Sequence, residues 1–323
     1  MSELKKMYTR RRFLAVAGLL AMGISLQSKG IDAIPGPRQK EPIIDIQQHI
    51  HFDGRTDEQI LAHQRAMGIK TTFLLPSGRP VNSPSTHQGN ANGLAEGAGG
   101  NAECYLFAKE HKKEFLFGAC AVPDAPDAIY EIEKNVKMGA VMIGELKFGL
   151  ECDSSEMQKI YQLAQIYNVP VLMHWEYQMY NYGFERFYKM LEKYPKVNFI
   201  GHAQTWWANI DKNLTDQSVL YPKGPVAPGG IADRYLSDYP NMYADLASGS
   251  GLNALTRNRV HTKLFMERHQ DKLIYGSDCK CTSGLASQGC IGALAIAEVR
   301  KLASGKQIER KLLYENAKKL FRL

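Results

Sequence analysis

The side chains in this sequence best suited to chemistry are imidazoles and carboxylates at the ends of apolar runs. The stretch IIDIQQHIHF, residues 43–52, carries His49 and His51 with one residue between them. On a strand, alternation would turn Asp45, Gln47, His49 and His51 to one face and send Ile44, Ile46 and Ile50 outward toward helices. Further on, VPVLMH ends at His174, NFIGH at His202 and KLIYGSD at Asp278, while AVMIGELK sets Glu145 and Lys147 two apart on one face of a strand. Imidazole nitrogen with carboxylate oxygen is the donor mixture that suits Zn²⁺ or a similar divalent ion. One histidine at a strand end is usually a satisfied polar residue. Several at successive strand ends, with an aspartate at the last, predict a metal site.

The elements that must position these groups alternate along the chain. Strand-like runs cover 43–51, 71–75, 115–122, 140–147, 169–174, 197–202, 241–247 and 272–278. Between them lie segments with apolar residues at helical spacing, among them 57–67, 155–167, 184–194 and 260–270. Eight strands separated by helices predict one α/β domain, a (β/α)8 TIM barrel, over residues 35–323. An open doubly wound sheet fits less well, because the Gly-rich phosphate loop after its first strand is missing. Two connections are long, 77–101 after the second strand and 204–234 after the sixth. On a barrel such loops lie at the catalytic face, so both are candidate substrate walls.

Charge says little about macromolecular partners. The formal net charge is +7, with 44% hydrophobic and 23% charged residues. Residues 1–30 hold Lys5, Lys6, Arg10, Arg11, Arg12 and Lys29 against Glu3 alone, which accounts for most of that excess. The remaining body is close to neutral, and nucleic-acid binding is not expected. The leader places adjacent arginines before Phe13-Leu14, then a short apolar run from Ala15 to Leu26 and a polar exit. Residues 1–34 therefore read as an export signal and linker resembling the twin-arginine type. The run is shorter than the roughly 20 residues of a bilayer span, so no stable membrane anchor is expected after signal removal. The expected location is periplasmic or extracellular. Cys104, Cys120 and Cys152 sit in apolar surroundings and read as core residues. Cys279, Cys281 and Cys290 fall in one loop region, where a bridge from Cys290 to either of the others is compatible with export. A zinc thiolate site is less expected there, since Cys-x-Cys with one distant Cys is not a usual zinc spacing.

The histidines of the first strand, the His of PVLMH, the His of GHA and the Asp of YGSD resemble the amidohydrolase superfamily, in particular its amidohydrolase-related (amidohydrolase family 2) branch of lactonases and nonoxidative decarboxylases. The ending LLYENAKKLFRL is similar to that group's last helix, and the resemblance spans residues 43–323. It implies one or two divalent ions, zinc first among them, with His49, His51, Glu145, His174, His202 and Asp278 as the ligand candidates. It implies catalytic roles for Asp278, as the base that deprotonates the attacking water, and for His202, as a second-metal ligand, an acid or a substrate hydrogen-bonder. Lys147 matches a carboxylated lysine of some members poorly and reads better as a cation for an acidic substrate or for Glu145.

The family's first strand reads Asp-x-His-x-His. Aligning on Asp45 puts Gln47 in the first ligand position and His49 in the second. Aligning on the visible pair makes His49 and His51 the ligands. Both registers stay open, and His49 belongs to each. The reaction expected is hydrolysis of a lactone, ester or amide bond. The alternatives are a metal-dependent decarboxylase on the same barrel and a degenerate barrel that binds a ligand without turnover. The partner expected is a small molecule, and homo-oligomerisation is left open. Trp175, Tyr177, Tyr180 and Tyr182 after the fifth strand, with Trp206 and Trp207 after the sixth, could stack on a substrate ring or serve loop packing.

Overall fold

The computed structural model describes residues 41–77 and 97–323. The leader, and the part of the long loop after the second strand that covers 78–96, lie outside the described residues. The first half runs β1 (Ile43–Gln48), α1 (Asp57–Met67), β2 (Ile69–Leu74), α2 (Asn101–Glu110), β3 (Phe115–Phe117), α3 (Ala128–Lys137), β4 (Ile143–Leu146) and α4 (Ser155–Tyr167). The second runs β5 (Val171–His174), α5 (Tyr188–Lys193), β6 (Phe199–His202), α6 (Gln204–Ala208), α7 (Ile231–Asp238), β7 (Met242–Asp245), α8 (Ser248–Arg257), α9 (Arg259–Arg268) and β8 (Leu273–Ile274). It ends in α10 (Ile291–Leu302), α11 (Lys306–Arg310) and α12 (Asn316–Phe321).

All strand pairings are parallel, in the orders β1-β2-β3 and β4-β5-β6-β7-β8. The two groups join where Ala119 pairs with Ile143 and donates to the Met142 carbonyl at 2.9 Å. On the other side Ile46 N donates to Tyr275 O at 3.2 Å and Asp278 N to Gln47 O at 2.9 Å. These bonds close the eight strands into a (β/α)8 barrel. β8 is shorter than its apolar run predicts: beyond Ile274 the Tyr275 amide donates to Leu312 O, outside the sheet, and the Ser277 amide to a side chain. The Asp45 carboxylate accepts from Ser277 N at 2.8 Å and Ser277 Oγ at 2.5 Å, tying the last strand to the first.

Helix α1 shows how local sequence sets orientation. Thr56 and Gln59 form a capping box at its start, and Gly68, at φ 78°, ends it in the left-handed conformation that glycine adopts at no steric cost. Its buried face is Ile60, His63, Gln64 and Met67, spaced as a helical stripe. Gln64 reaches Asp45 Oδ2 at 3.1 Å. One apolar cluster fills the space between strands and helices, and a smaller one fills the barrel interior. Leu172 and Ile200 lie in the interior cluster, two residues before His174 and His202, so the same strand faces carry apolar packing below and chemistry above. Helix α12 closes the lower end, with Ala317 in that cluster, Phe321 edge-on to Phe73 at 4.6 Å and Asn316 Nδ2 donating to Leu273 O at 2.8 Å.

The structure corrects the expected facing of β1. Ile44 and Ile46 pack inside the barrel with Phe73, Leu172 and Ile274, while Ile50 packs in the outer cluster. The ladder shifts register between Asp45 and Gln48. That irregularity lets Asp45 turn to Gln64 and Ser277 while Gln47 still enters the interior.

Candidate metal centre

Four strand ends bring the predicted groups together. His49 follows β1, Glu145 lies in β4, and His174 and His202 are the last residues of β5 and β6, paired directly across the ladder. All four are buried. Ligand atoms of Glu145, His174 and His202 lie within 4.8 Å of one another. His49 Nε2 is 3.0 Å from Glu145 Oε2 and 3.4 Å from Asp278 Oδ1, and His202 Nε2 is 3.7 Å from Asp278 Oδ2. Glu145 Oε1 meets His174 Nδ1. Glycine at 144 makes the approach possible: its φ is 143°, and a Cβ there would stand 2.9 Å from Leu172 O.

The far nitrogens of these rings are committed elsewhere. His49 Nδ1 donates to the Leu75 carbonyl at 2.8 Å, and His202 Nδ1 donates to Asp245 Oδ1 at 2.8 Å. Both Nε2 atoms are therefore left as acceptors aimed at carboxylate oxygens, which are acceptors as well. His174 repeats the pattern with Nε2 on Glu176 Oε2 at 3.2 Å and Nδ1 toward Glu145. Acceptor against acceptor in a buried site calls for a cation between them, either protons or a metal. The electrostatics agree. Burial alone would raise Glu145, yet His174, His49 and His202 hold it well below the ordinary carboxylate range. Burial works against charge on His202, yet Asp245, then Glu145 and Asp278, push it up to about 9. His49 is likewise raised against its burial by Glu145 and Asp278. Burial and then Glu145 hold the Asp278 carboxyl above its ordinary value, against the pull of His49, His202 and Lys147.

The Asp45 register is the one observed. Gln47 stands beside His49, with Nε2 at 3.0 Å from Glu145 Oε2 and 3.3 Å from His202 Nε2, and its Oε1 has no hydrogen-bond partner. His51 is corrected out of the site. β1 ends at Gln48, the chain turns, and His51 adopts a left-handed conformation that swings its exposed ring to Asp57 Oδ1 at 3.0 Å. Asp45 has a positioning role: it accepts from Ser277, Gln64 and the Gln47 amide, holding β1 against the segment that carries Asp278.

The cluster opens into a cavity of about 1070 Å³ whose wall includes Lys147, Glu176, Met179, Tyr180, Gln204 and Ser248. Lys147 Nζ sits 5.2 Å from the Tyr180 ring centroid, and Tyr180 stands edge-on to His174. The other aromatic candidates are elsewhere. Trp175, Trp206 and Trp207 are buried in the core: Trp175 packs on Phe184 and Phe187, Trp207 on Phe265, and the Trp206 ring lies where a Cβ on Gly201 would be, 2.3 Å away. Tyr177 is exposed and does not line this cavity. The sequence reading missed Asp245 and Glu176. Asp245 ends β7 as His202 ends β6, so the strand-end rule that found the histidines would have found it.

A barrel whose strand ends assemble imidazoles and carboxylates is a scaffold for divalent-cation chemistry. The family model described as "Amidohydrolase" matches residues 44–323, and the chain belongs to that family. No curated protein matches the chain. Among solved structures it is similar to a probable 2-pyrone-4,6-dicarboxylic acid hydrolase from Acinetobacter baumannii, at 12% identity and TM-score 0.57 over 87% of this chain and 99% of that one. It is similar also to a 2,6-dihydroxybenzoate decarboxylase from Rhizobium, at 14% identity and TM-score 0.53 over 87% and 99%. A third is the 5-carboxyvanillate decarboxylase from Sphingomonas paucimobilis, at 12% identity and TM-score 0.55 over 87% and 99%. These likenesses concern the fold. The divalent ion typical of the family fits the residues present: Glu145, His174 and His202 offer converging donors, and the lone pairs of His49 and His202 are fixed toward it by Leu75 and Asp245.

Proposed function

We propose that this chain is an exported hydrolase that uses a divalent cation, Zn²⁺ first, to cleave a lactone, ester or amide bond. The observation that carries the reading is the set of buried imidazole nitrogens aimed at the carboxylates of Glu145 and Asp278 at the floor of a cavity. Glu145, His174 and His202 would hold the ion, with His49 and Asp278 beside them. When bound there it would supply Lewis acidity, making water more acidic and a carbonyl more electrophilic.

The protein's own groups do the rest. Asp278 borders the cavity and takes the proton of the attacking water. His202, fixed by Asp245 in one tautomer, points a defined nitrogen at the reacting side. Lys147, on the cavity wall over Tyr180, supplies a cation for an anionic group of the substrate. Purified protein loaded with zinc should hydrolyse members of a lactone, ester and amide panel, and Asp278→Asn should lose that activity with its fold retained. Turnover by Asp278→Asn equal to wild type would remove Asp278 as base.

Lys147 favours a second reading, because a cation on the cavity wall suits a carboxylated substrate and hence decarboxylation. Release of CO₂ from aromatic acids, with no hydrolysis across the panel, would establish it. Failure of both assays with a metal-loaded protein would leave a ligand-binding barrel.

A further inference from the structure

A second group of donors lies beside the loop that carries Asp278, and two of its members, Cys279 and Cys281, also border the cavity of the first site. We infer that His63, Cys279, Cys281 and Cys290 form a second metal site for a soft divalent ion such as Zn²⁺, with a structural role. One donor atom from each residue lies within 4.8 Å of every other. Cys279 Sγ and Cys290 Sγ are 3.7 Å apart, and Cys290 Sγ is 3.4 Å from His63 Nε2. Two thiolates at about 2.3 Å from one tetrahedral zinc stand roughly 3.8 Å apart, and a thiolate and an imidazole nitrogen roughly 3.5 Å apart. A disulfide would bring the sulfurs to about 2.05 Å. The separations are those of ligands around an ion, and all six cysteines are free thiols.

Each donor is delivered by an anchored element. His63 sits on the buried face of α1, and its Nδ1 has no hydrogen-bond partner, so the ring's polar neighbours are sulfurs. Cys290 is the N-cap of α10, accepting from Ala293 N at 3.5 Å. Cys279 and Cys281 follow Asp278, and Arg55 Nη1 holds their carbonyls at 2.8 and 3.2 Å. His63, Cys279 and Cys290 are buried, and Cys281 is partly buried.

The buried guanidinium of Arg55 is a second, independent sign of charge at this place. Its hydrogen bonds go to carbonyl and amide oxygens, and no ion pair to a carboxylate is found for it among the described residues. A buried cation requires an anion nearby, and the groups that favour the charge of Arg55 are Cys279 and Cys281 first, then Asp45 and Cys290. Three thiolates, a neutral imidazole and a divalent ion together carry one negative charge, which would share Arg55 with Asp45. The spacing Cys-x-Cys followed by one distant Cys does not announce such a site because its fourth donor comes from the first helix of the barrel, on the other side of the closure.

The test is substitution of the full-length purified protein with Co²⁺ under reducing conditions. Thiolate ligands give cobalt an intense near-ultraviolet charge-transfer absorption, which the nitrogen and oxygen donors of the first site cannot produce. The expected result is that absorption in the wild type and in His174→Ala, and its loss in Cys290→Ser. Zinc content should fall by one equivalent in Cys290→Ser. Should that variant fail to fold, Cys281→Ser at the partly exposed position, checked by circular dichroism, reads the same band. A cobalt-loaded wild type without the band would overturn the proposal. So would an intact mass under non-reducing conditions that is two hydrogens light, with no bound metal.

Discussion

Replacing Asp245 by Asn isolates what one buried carboxylate does for the metal centre. Its Oδ1 accepts from His202 Nδ1 at 2.8 Å, and both residues are almost fully buried. An asparagine can keep a hydrogen bond through its amide oxygen while losing the charge. The imidazole then becomes a poorer donor to a cation at Nε2, and its other tautomer becomes accessible. Outer partners of this kind typically carry about 10- to 100-fold in metal affinity, or roughly 1.4–2.7 kcal/mol. Zinc affinity is read by competition with a chromophoric chelator, with thermal melts to confirm that the variant folds. Asp233→Asn is the control: Asp233 makes an equally short contact with His269, 2.7 Å, but lies away from the cavity. The expectation is weakening by at least about tenfold in Asp245→Asn and none in Asp233→Asn. Equal affinities for wild type and Asp245→Asn would refute the claim that this carboxylate tunes a ligand.

Three further outcomes are expected. Gln47→His places an imidazole where a weak amide donor now stands 3.3 Å from His202 Nε2, and should tighten zinc binding by about tenfold or more in the same competition assay. Gly201→Ala puts a methyl 2.3 Å from the Trp206 ring, and denaturant melts should show a loss of about 1–3 kcal/mol, or more where the ring cannot shift. Asp233 is held below the ordinary carboxylate range: burial opposes this, but His269, Gly229 N and Arg268 outweigh it. A carboxyl lowered on folding stabilises above its unfolded pKa of about 4 and loses that contribution as pH falls through its folded value. Urea melts should therefore show wild type and Asp233→Asn well separated at pH 7 and converging toward pH 2.

Much of the barrel was legible because strand ends are marked chemically. Apolar runs that finish in His174, His202 and Asp278 announce both the strand and its exit toward the site. Asp45 and the visible pair of histidines offered two registers, and the structure follows the one set by Asp45. Strict alternation misplaced His51, Ile44 and Ile46, since a register shift after Asp45 and a turn after Gln48 interrupt it. β8 looked longer than it is because the Tyr275 amide donates outside the sheet and the Ser277 amide to a side chain. The tryptophans were equally ambiguous in sequence: a ring beside a catalytic strand can face substrate or helix. Their burial is against Phe184, Phe187 and Phe265, on segments legible as helices, but which way each ring turns depends on packing that the sequence does not show.

The closure between β1 and the segment after β8 also fixes when the site can exist during folding. Gln48 and Ser277, bonded at 2.8 Å, are 229 positions apart in sequence. Contacts of that separation carry the largest loop-closure entropy and tend to form late. A chain ordered only from β4 to β7 would already align Glu145, His174 and His202, yet would lack His49 and Asp278. Complete assembly of the centre is thus a reporter of the last seam of the barrel, and the full metal affinity, which needs His49 and Asp278 beside the other three, should be regained after the helix signal.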